Sequence, residues 1–147
     1  MLEFFSECDE VWHAGDIGDA TTLEELSENW MVRAVFGNID GEDIRLVCPL
    51  EQVFLCEQLK VYMIHIGGYP GRYNPQALRT ILSEKPGLFI SGHSHILKVI
   101  WDKKHDLLHL NPGAAGISGL HKVITMMRFN VLGKEIEDLE IFESPRR

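Results

Sequence analysis

Apolar residues in this chain fall into short runs that end at glycine, interrupted by stretches whose apolar positions repeat at helical spacing. Short β-rich runs closed by Gly, Asn or Asp read as strands, and a 3.6-residue repeat reads as helix. Residues 1–7 have the pattern of the last turns of an amphipathic helix, with Leu2, Phe5 and Phe4 inward. Residues 10–13 form a strand that runs into the loop Ala14-Gly15-Asp16-Ile17-Gly18-Asp19. A helix opens at Thr21-Thr22, with a threonine N-cap, acids in the first turn and Leu23 and Leu26 inward. Residues 31–36 are a second strand, ended by Gly37-Asn38-Ile39-Asp40-Gly41. Residues 44–48, 51–56 and 59–64 read as consecutive antiparallel strands, the last delivering His65 to a corner at Gly67-Gly68.

In the second half, residues 75–84 are a helix with Pro75 near its start and Ala77, Leu78, Ile81 and Leu82 on its apolar face. Lys85-Pro86-Gly87 stops it, and a buried strand, Leu88-Phe89-Ile90-Ser91, leads into Gly92-His93-Ser94-His95. Strands at 97–101 and 107–110 flank a charged turn at 102–106, in which His105 is expected in solvent. After the loop Asn111-Pro112-Gly113-Ala114-Ala115-Gly116, residues 121–129 and 134–142 form a last hairpin about 130–133. Residues 144–147 read as a frayed tail. No repeat, linker or low-complexity stretch divides the chain, so residues 1–147 are expected to be one α/β domain.

Composition narrows the function classes. The 147 residues are 45% hydrophobic and 24% charged, ordinary for a soluble globular protein. A formal net charge of -8 argues against a basic nucleic-acid groove or an anionic membrane surface as partner. A phosphate-bearing substrate remains compatible, because bound cations reverse the local sign. Cys8, Cys48 and Cys56 lack metal-site or redox spacing and read as reduced thiols. With no apolar run of membrane-spanning length and no secretory leader pattern, a cytoplasmic location is expected.

The candidate chemistry sits at strand ends. His93 and His95 lie one residue apart just beyond a strand, where an extended chain would project them side by side. Imidazole is the commonest side-chain metal ligand, although the pair equally fits two surface histidines in a loop. Gly-Asn-Ile-Asp-Gly, taken alone, reads as a turn rather than a site. The recurrence is more telling: separate strand ends deliver Asp16, Asn38, His65 and the His93/His95 pair, each beside glycine. Open α/β sheets gather ligands at such carboxyl ends. Carboxylate, amide oxygen and imidazole suit divalent ions, and no cysteine joins them, which argues against a structural zinc finger.

In order and spacing, Gly15-Asp16, Gly37-Asn38-Ile39-Asp40, His65-Ile66-Gly67 and Gly92-His93-Ser94-His95 resemble the calcineurin-like metallophosphoesterases. The resemblance is strongest to their small single-domain phosphodiesterases and extends to Asn111-Pro112-Gly113. It implies a four-layer α-β-β-α sandwich and a two-metal site at the strand ends. Asp16 would bridge both ions, Asn38, His65 and His93 would complete one, and His95 would help hold the other. Manganese, nickel, iron, cobalt or zinc would suit these ligands. The implied reaction is hydrolysis of a small phosphate ester by a metal-bound hydroxide attacking in line.

Two departures shape the expectation. The family opens with a strand ending in Asp-x-His, and this sequence starts after that point. The sandwich is therefore expected to lack its first strand, and the first ion to keep only Asp16 and His95. One ion would bind readily, catalysis would be impaired, and oligomerisation could cover the open strand edges. Ile39 also stands where many members carry a histidine that protonates the leaving oxygen. Asp40 is the nearest replacement as catalytic acid; its other reading is a turn-capping carboxylate. Arg72 could meet a substrate phosphate bidentately, or be a plain surface arginine. His13 reads as a satisfied structural histidine, His109 and His121 as facing the second sheet or solvent, and Trp12, Trp30 and Trp101 as core or half-buried. The alternative function is a non-catalytic protein-binding scaffold, the role this fold has in the retromer's phosphoesterase-like subunit.

Overall fold

The computed structural model describes residues 3–146. The chain runs through β1 (Glu10–His13), α1 (Ala20–Ser27), β2 (Met31–Ala34), α2 (Glu42–Val47), β3 (Glu51–Cys56) and β4 (Leu59–Ile64). The short strands β5 (Gly68–Tyr69) and β6 (Arg72–Tyr73) follow, then α3 (Pro75–Glu84), β7 (Leu88–Ser91), β8 (Lys98–Asp102) and β9 (Leu107–Asn111). A long hairpin, β10 (Val123–Leu132) and β11 (Glu135–Pro145), ends the fold. Among the described residues no helix is long and apolar enough to cross a membrane.

The most apolar strands lie at the centre. A five-stranded sheet has the order β3-β4-β7-β9-β8. Its inner neighbours β4, β7 and β9 run parallel, and β3 and β8 close the edges antiparallel. Parallel strands are covered on both faces, and every residue of β7 is buried. Alternation divides the side chains between two cores. Val61, Met63, Leu88, Ile90 and Leu110 face one way, against Trp12 of β1 and Phe129, Val131, Ile136 and Leu139 of the last hairpin. Tyr62, Ile64, Phe89 and Leu107 face the other way, against Ala77 and Ile81 of α3. A third cluster, Ile17, Ala34, Ile44 and Cys48, seats α1 and α2 on the outer face of the parallel β1–β2 pair. Helix, sheet, strands and helices thus stack as the four expected layers of a mixed α/β protein.

Several local expectations are corrected. Residues 44–48 are not a strand: α2 takes in residues 44–47 and Cys48 caps it, because Ile44 and Cys48, one helical turn apart, bury together. Glu42 and Asp43 in its first turn and Arg45 in its last suit the helix dipole. The N-cap of α1 is Asp19, whose carboxylate accepts the Thr21 N–H at 2.9 Å, so the threonines lie within the helix. Residues 3–7 form turns rather than a helix, with Phe4 against Phe142 and Phe5 against Trp30; Leu2 lies outside the described residues. The last hairpin turns at Gly133–Lys134, and β11 takes in Ser144 and Pro145, where a tail was expected. Trp101 is 58% exposed rather than core.

The charged turn also behaves differently. His105 is not in solvent: its Nδ1 lies 2.7 Å from Asp102 Oδ2, and the ring packs edge-on to Tyr73. The Tyr73 hydroxyl donates to the same oxygen at 2.6 Å. Burial raises the Asp102 carboxyl, but these two donors and the Lys104 N–H outweigh it and hold the group below the usual range.

Candidate metal centre

The ends of β1, β2, β4 and β7 converge on one rim of the molecule. β1 pairs in register with β2, and β4 pairs parallel to β7, so their carboxyl ends emerge at the same level. Asp16, His65 and His93 each present a ligand atom there, all within 4.8 Å of one another. Asn38 completes the group: its Oδ1 is 3.1 Å from His65 Nε2 and 2.9 Å from His93 Nδ1.

Each side chain is aimed by its backbone. His65 follows β4, is 3% exposed, and donates Nδ1–H to the Ala14 carbonyl at 2.7 Å. That bond fixes the tautomer and turns the Nε2 lone pair toward Asp16 Oδ1, 3.2 Å away. Asp16 sits at φ 56° and its Oδ1 accepts the Ile39 N–H at 3.2 Å. Gly37 has to be glycine, since a Cβ there would collide with Asp16 Oδ1 and the Asp16 backbone. Asp16, His93 and His95 all lie in the left-handed region, at φ 56°, 65° and 57°. Non-glycine residues held there cost about 1–3 kcal/mol each and gather at functional sites.

The donor set fits a divalent cation. With its N–H committed to Ala14, His65 Nε2 is a lone pair, and it faces the Asp16 carboxylate and the Asn38 amide oxygen, which are also electron-pair donors. Donors turned on one another across 3 Å are reconciled by a shared positive charge. Imidazole, carboxylate and amide oxygen are the mixed set that borderline divalent ions take.

His93 and His95 do not project side by side. Their left-handed backbones break the strand alternation, so His93 turns toward His65, with ring centroids 5.3 Å apart. His95 turns instead to His121, with ring centroids 5.2 Å apart. His121 therefore faces His95 rather than the second sheet or bulk solvent. Burial and the His121 ring lower the pKa of His95.

Asp40 is 3% exposed and its carboxylate ties two loops together. Oδ1 accepts Gly18 N–H at 2.8 Å and Oδ2 accepts Gly37 N–H at 2.7 Å. Burial raises this carboxyl, but the backbone donors prevail and hold it below the usual range. An ionised carboxylate with both oxygens engaged has no proton to give, so the geometry matches the turn-capping reading and not a catalytic acid. Arg72 is exposed on the β5–β6 hairpin. His13 is not satisfied: its Nδ1 is buried without a partner, burial lowers its pKa, and Asp40 pulls in the opposite direction. His109 lies on the α3 side of the sheet, stacked on Phe89, and not toward the second sheet.

The residues that sequence reasoning missed are Ala14, whose carbonyl orients His65, Ile39, whose N–H orients Asp16, and His121. The first two act through backbone atoms, which leave no side-chain signature. His121 lies far along the chain from its neighbour, and only the glycine-rich loop before it hinted at a site.

A four-layer α-β-β-α sandwich with carboxylate, amide and imidazoles gathered at its strand ends defines a mixed α/β protein with a candidate metal centre on one rim. The calcineurin-like phosphoesterase superfamily domain matches residues 1–134, and the chain belongs to that family. A probable metallophosphoesterase of Methanocaldococcus jannaschii is 33% identical over 116 residues, covering 78% of this chain and 57% of the relative. The chain thus spans little more than half the length of that curated relative. Among solved structures, a single mutant of Vps29 from Entamoeba histolytica matches with a TM-score of 0.75 at 17% identity, covering 98% of this chain and 87% of that one. An archaeal phosphodiesterase matches with a TM-score of 0.74 at 22% identity, covering 96% and 88%. At these identities the structural likeness speaks for the fold.

Proposed function

We propose that this chain hydrolyses small phosphate esters, phosphodiesters among them, with divalent ions at the rim where β1, β2, β4 and β7 end. One observation carries the reading: Asp16, Asn38, His65 and His93 come from four separate strand ends and turn their donor atoms on one point. These four would hold one ion, and Asp16 would also serve a second on the side of His95. Bound divalent ions supply Lewis acidity, which activates water and offsets charge on the phosphoryl oxygens. Manganese, nickel, iron, cobalt or zinc would serve.

The chain's own residues position and select. Ala14 and Ile39 fix His65 and Asp16 before substrate arrives, and such preorganisation is a large part of enzymatic rate enhancement. A shallow cavity of about 300 Å³ opens beside Asn38 and His65, with Phe36, Leu50, Ile66 and Gln76 in its walls. Its apolar wall suits the organic arm of an ester. Arg72 would meet a further phosphate oxygen from the hairpin. Neither Ile39 nor Asp40 supplies a proton, so esters with good leaving groups should react fastest. The free thiols of Cys8, Cys48 and Cys56 fit a reducing compartment such as the cytoplasm.

The scaffold reading has the Vps29 likeness in its favour, and the retained ligand set speaks against it. The deciding experiment is hydrolysis of bis(p-nitrophenyl) phosphate with added manganese. Turnover that a chelator abolishes, and that His65→Ala lowers at least a hundredfold, is expected. Manganese bound by the wild-type chain without hydrolysis of any mono- or diester overturns the enzyme reading in favour of the scaffold.

A further inference from the structure

We propose that His121 is a metal ligand, holding a second divalent ion together with His95 beside the Asp16–Asn38–His65–His93 group. The inference rests on the metal-site reading above but concerns a residue outside that ligand set. The first observation is the state of the His121 ring. Its Nε2 lies 2.9 Å from the Gly116 carbonyl oxygen, so that nitrogen carries the proton and donates it. Nδ1 is then a bare lone pair, and it is buried with no hydrogen-bond partner. A buried acceptor left unmatched costs about 1–3 kcal/mol, and a cation removes that cost.

This is how metal-binding histidines are generally held: one nitrogen gives its hydrogen to a backbone carbonyl and the other faces the ion. His65 follows the same plan within this molecule, with Nδ1 on the Ala14 carbonyl at 2.7 Å and Nε2 among the candidate ligands. His121 repeats it with the nitrogens exchanged.

The second observation is the closeness of the two rings to each other and to a glycine. A Cβ on Gly119 would lie 3.0 Å from His121 Nδ1 and 3.2 Å from His95 Nδ1. Both rings therefore lie against Gly119, edge to face with centroids 5.2 Å apart, and any side chain there would crowd them. Gly119 has φ +119°, a conformation that side-chain-bearing residues rarely adopt, so the position is closed to substitution on backbone grounds as well. Arg146 fixes this loop by donating from Nη1 to the Gly119 carbonyl at 2.5 Å. His95 is joined to His93 through Ser94 alone, so the two pairs of rings, His65 with His93 and His95 with His121, share one loop.

Cobalt(II) tests the proposal without any turnover. The full chain is titrated with cobalt chloride, bound metal per chain is read by equilibrium dialysis, and the ligand field is followed by visible absorption. The wild type is expected to take up two ions, His121→Ala one, and His65→Ala to keep the ion that depends on His121. If His121→Ala folds poorly by circular dichroism, His121→Phe, which keeps a ring of similar bulk and has no donor atom, carries the same comparison. Two ions bound with unchanged affinity and spectrum in the folded His121 variant overturn the proposal and leave the first site standing. A wild type that binds one ion, lost in His65→Ala and retained in His121→Ala, overturns it too. A wild type that binds none overturns both readings.

Discussion

Asp40 and His109 show how burial assigns work to a titratable side chain. Asp40 is held in its ionised form because two backbone donors from different loops engage its two oxygens and keep the carboxyl below the usual range. His109 is fully buried, gives Nδ1–H to the Phe89 carbonyl at 3.2 Å, and leaves Nε2 without a partner. Burial pushes its pKa from 6.5 down to about 4. A depressed histidine pKa means that the unfolded chain binds the extra proton between those values. His109 therefore contributes full stability above pH 6.5, and that contribution falls away as the pH drops toward 4. The shift corresponds to about 3 kcal/mol across the window. Urea denaturation of His109→Leu should show a distinctly flatter dependence between pH 6.5 and 4.5 than the wild type; an unchanged slope would refute the assignment.

At the scale of elements, the strand ends decide the chemistry. The loop after β2 lies against the loop after β1 only because Gly37 has no side chain. Gly37→Ala should therefore push Asp16 off the ligand point and weaken manganese binding at least tenfold by calorimetry. Part of the folding free energy, about 1–3 kcal/mol for such overpacking, should go with it. Tight binding retained in this variant would show that Asp16 does not need this approach. Helix α3 was legible because Pro75 starts it and Ala77 and Ile81 share a face; its Asn74 cap emerged only in the structure. Residues 44–48 were not, since a short apolar run fits strand and helix alike. The packing of Ile44 under β2 settled it. The His93–His95 pair was misread for a related reason. The alternation rule holds only for extended backbone, and both residues are left-handed.

Across the whole molecule, the excess of acidic groups and the convergent donors would make a bound divalent ion a source of stability. An ion that binds the folded chain alone adds about 2.7 kcal/mol at one hundred times its dissociation constant. For a domain of this size that is roughly 5–10 °C in midpoint. Calorimetric melting with and without manganese should show such an upward shift, reversed by chelator and clearly smaller in His65→Ala. A midpoint indifferent to manganese would count against the site.

From the sequence alone came the α/β class, the central strands, α3 and the recurrence of metal-capable residues beside glycine, because hydrophobic period and turn chemistry are local. The tertiary structure alone decided that Asn38 stands between His65 and His93, that Asp40 is spent on two backbone amides, and that His95 leans to His121. Those relations join positions up to some fifty residues apart, and no local pattern encodes where two loops will meet. They follow from strand register and layer packing, which exist only once the chain has closed on itself.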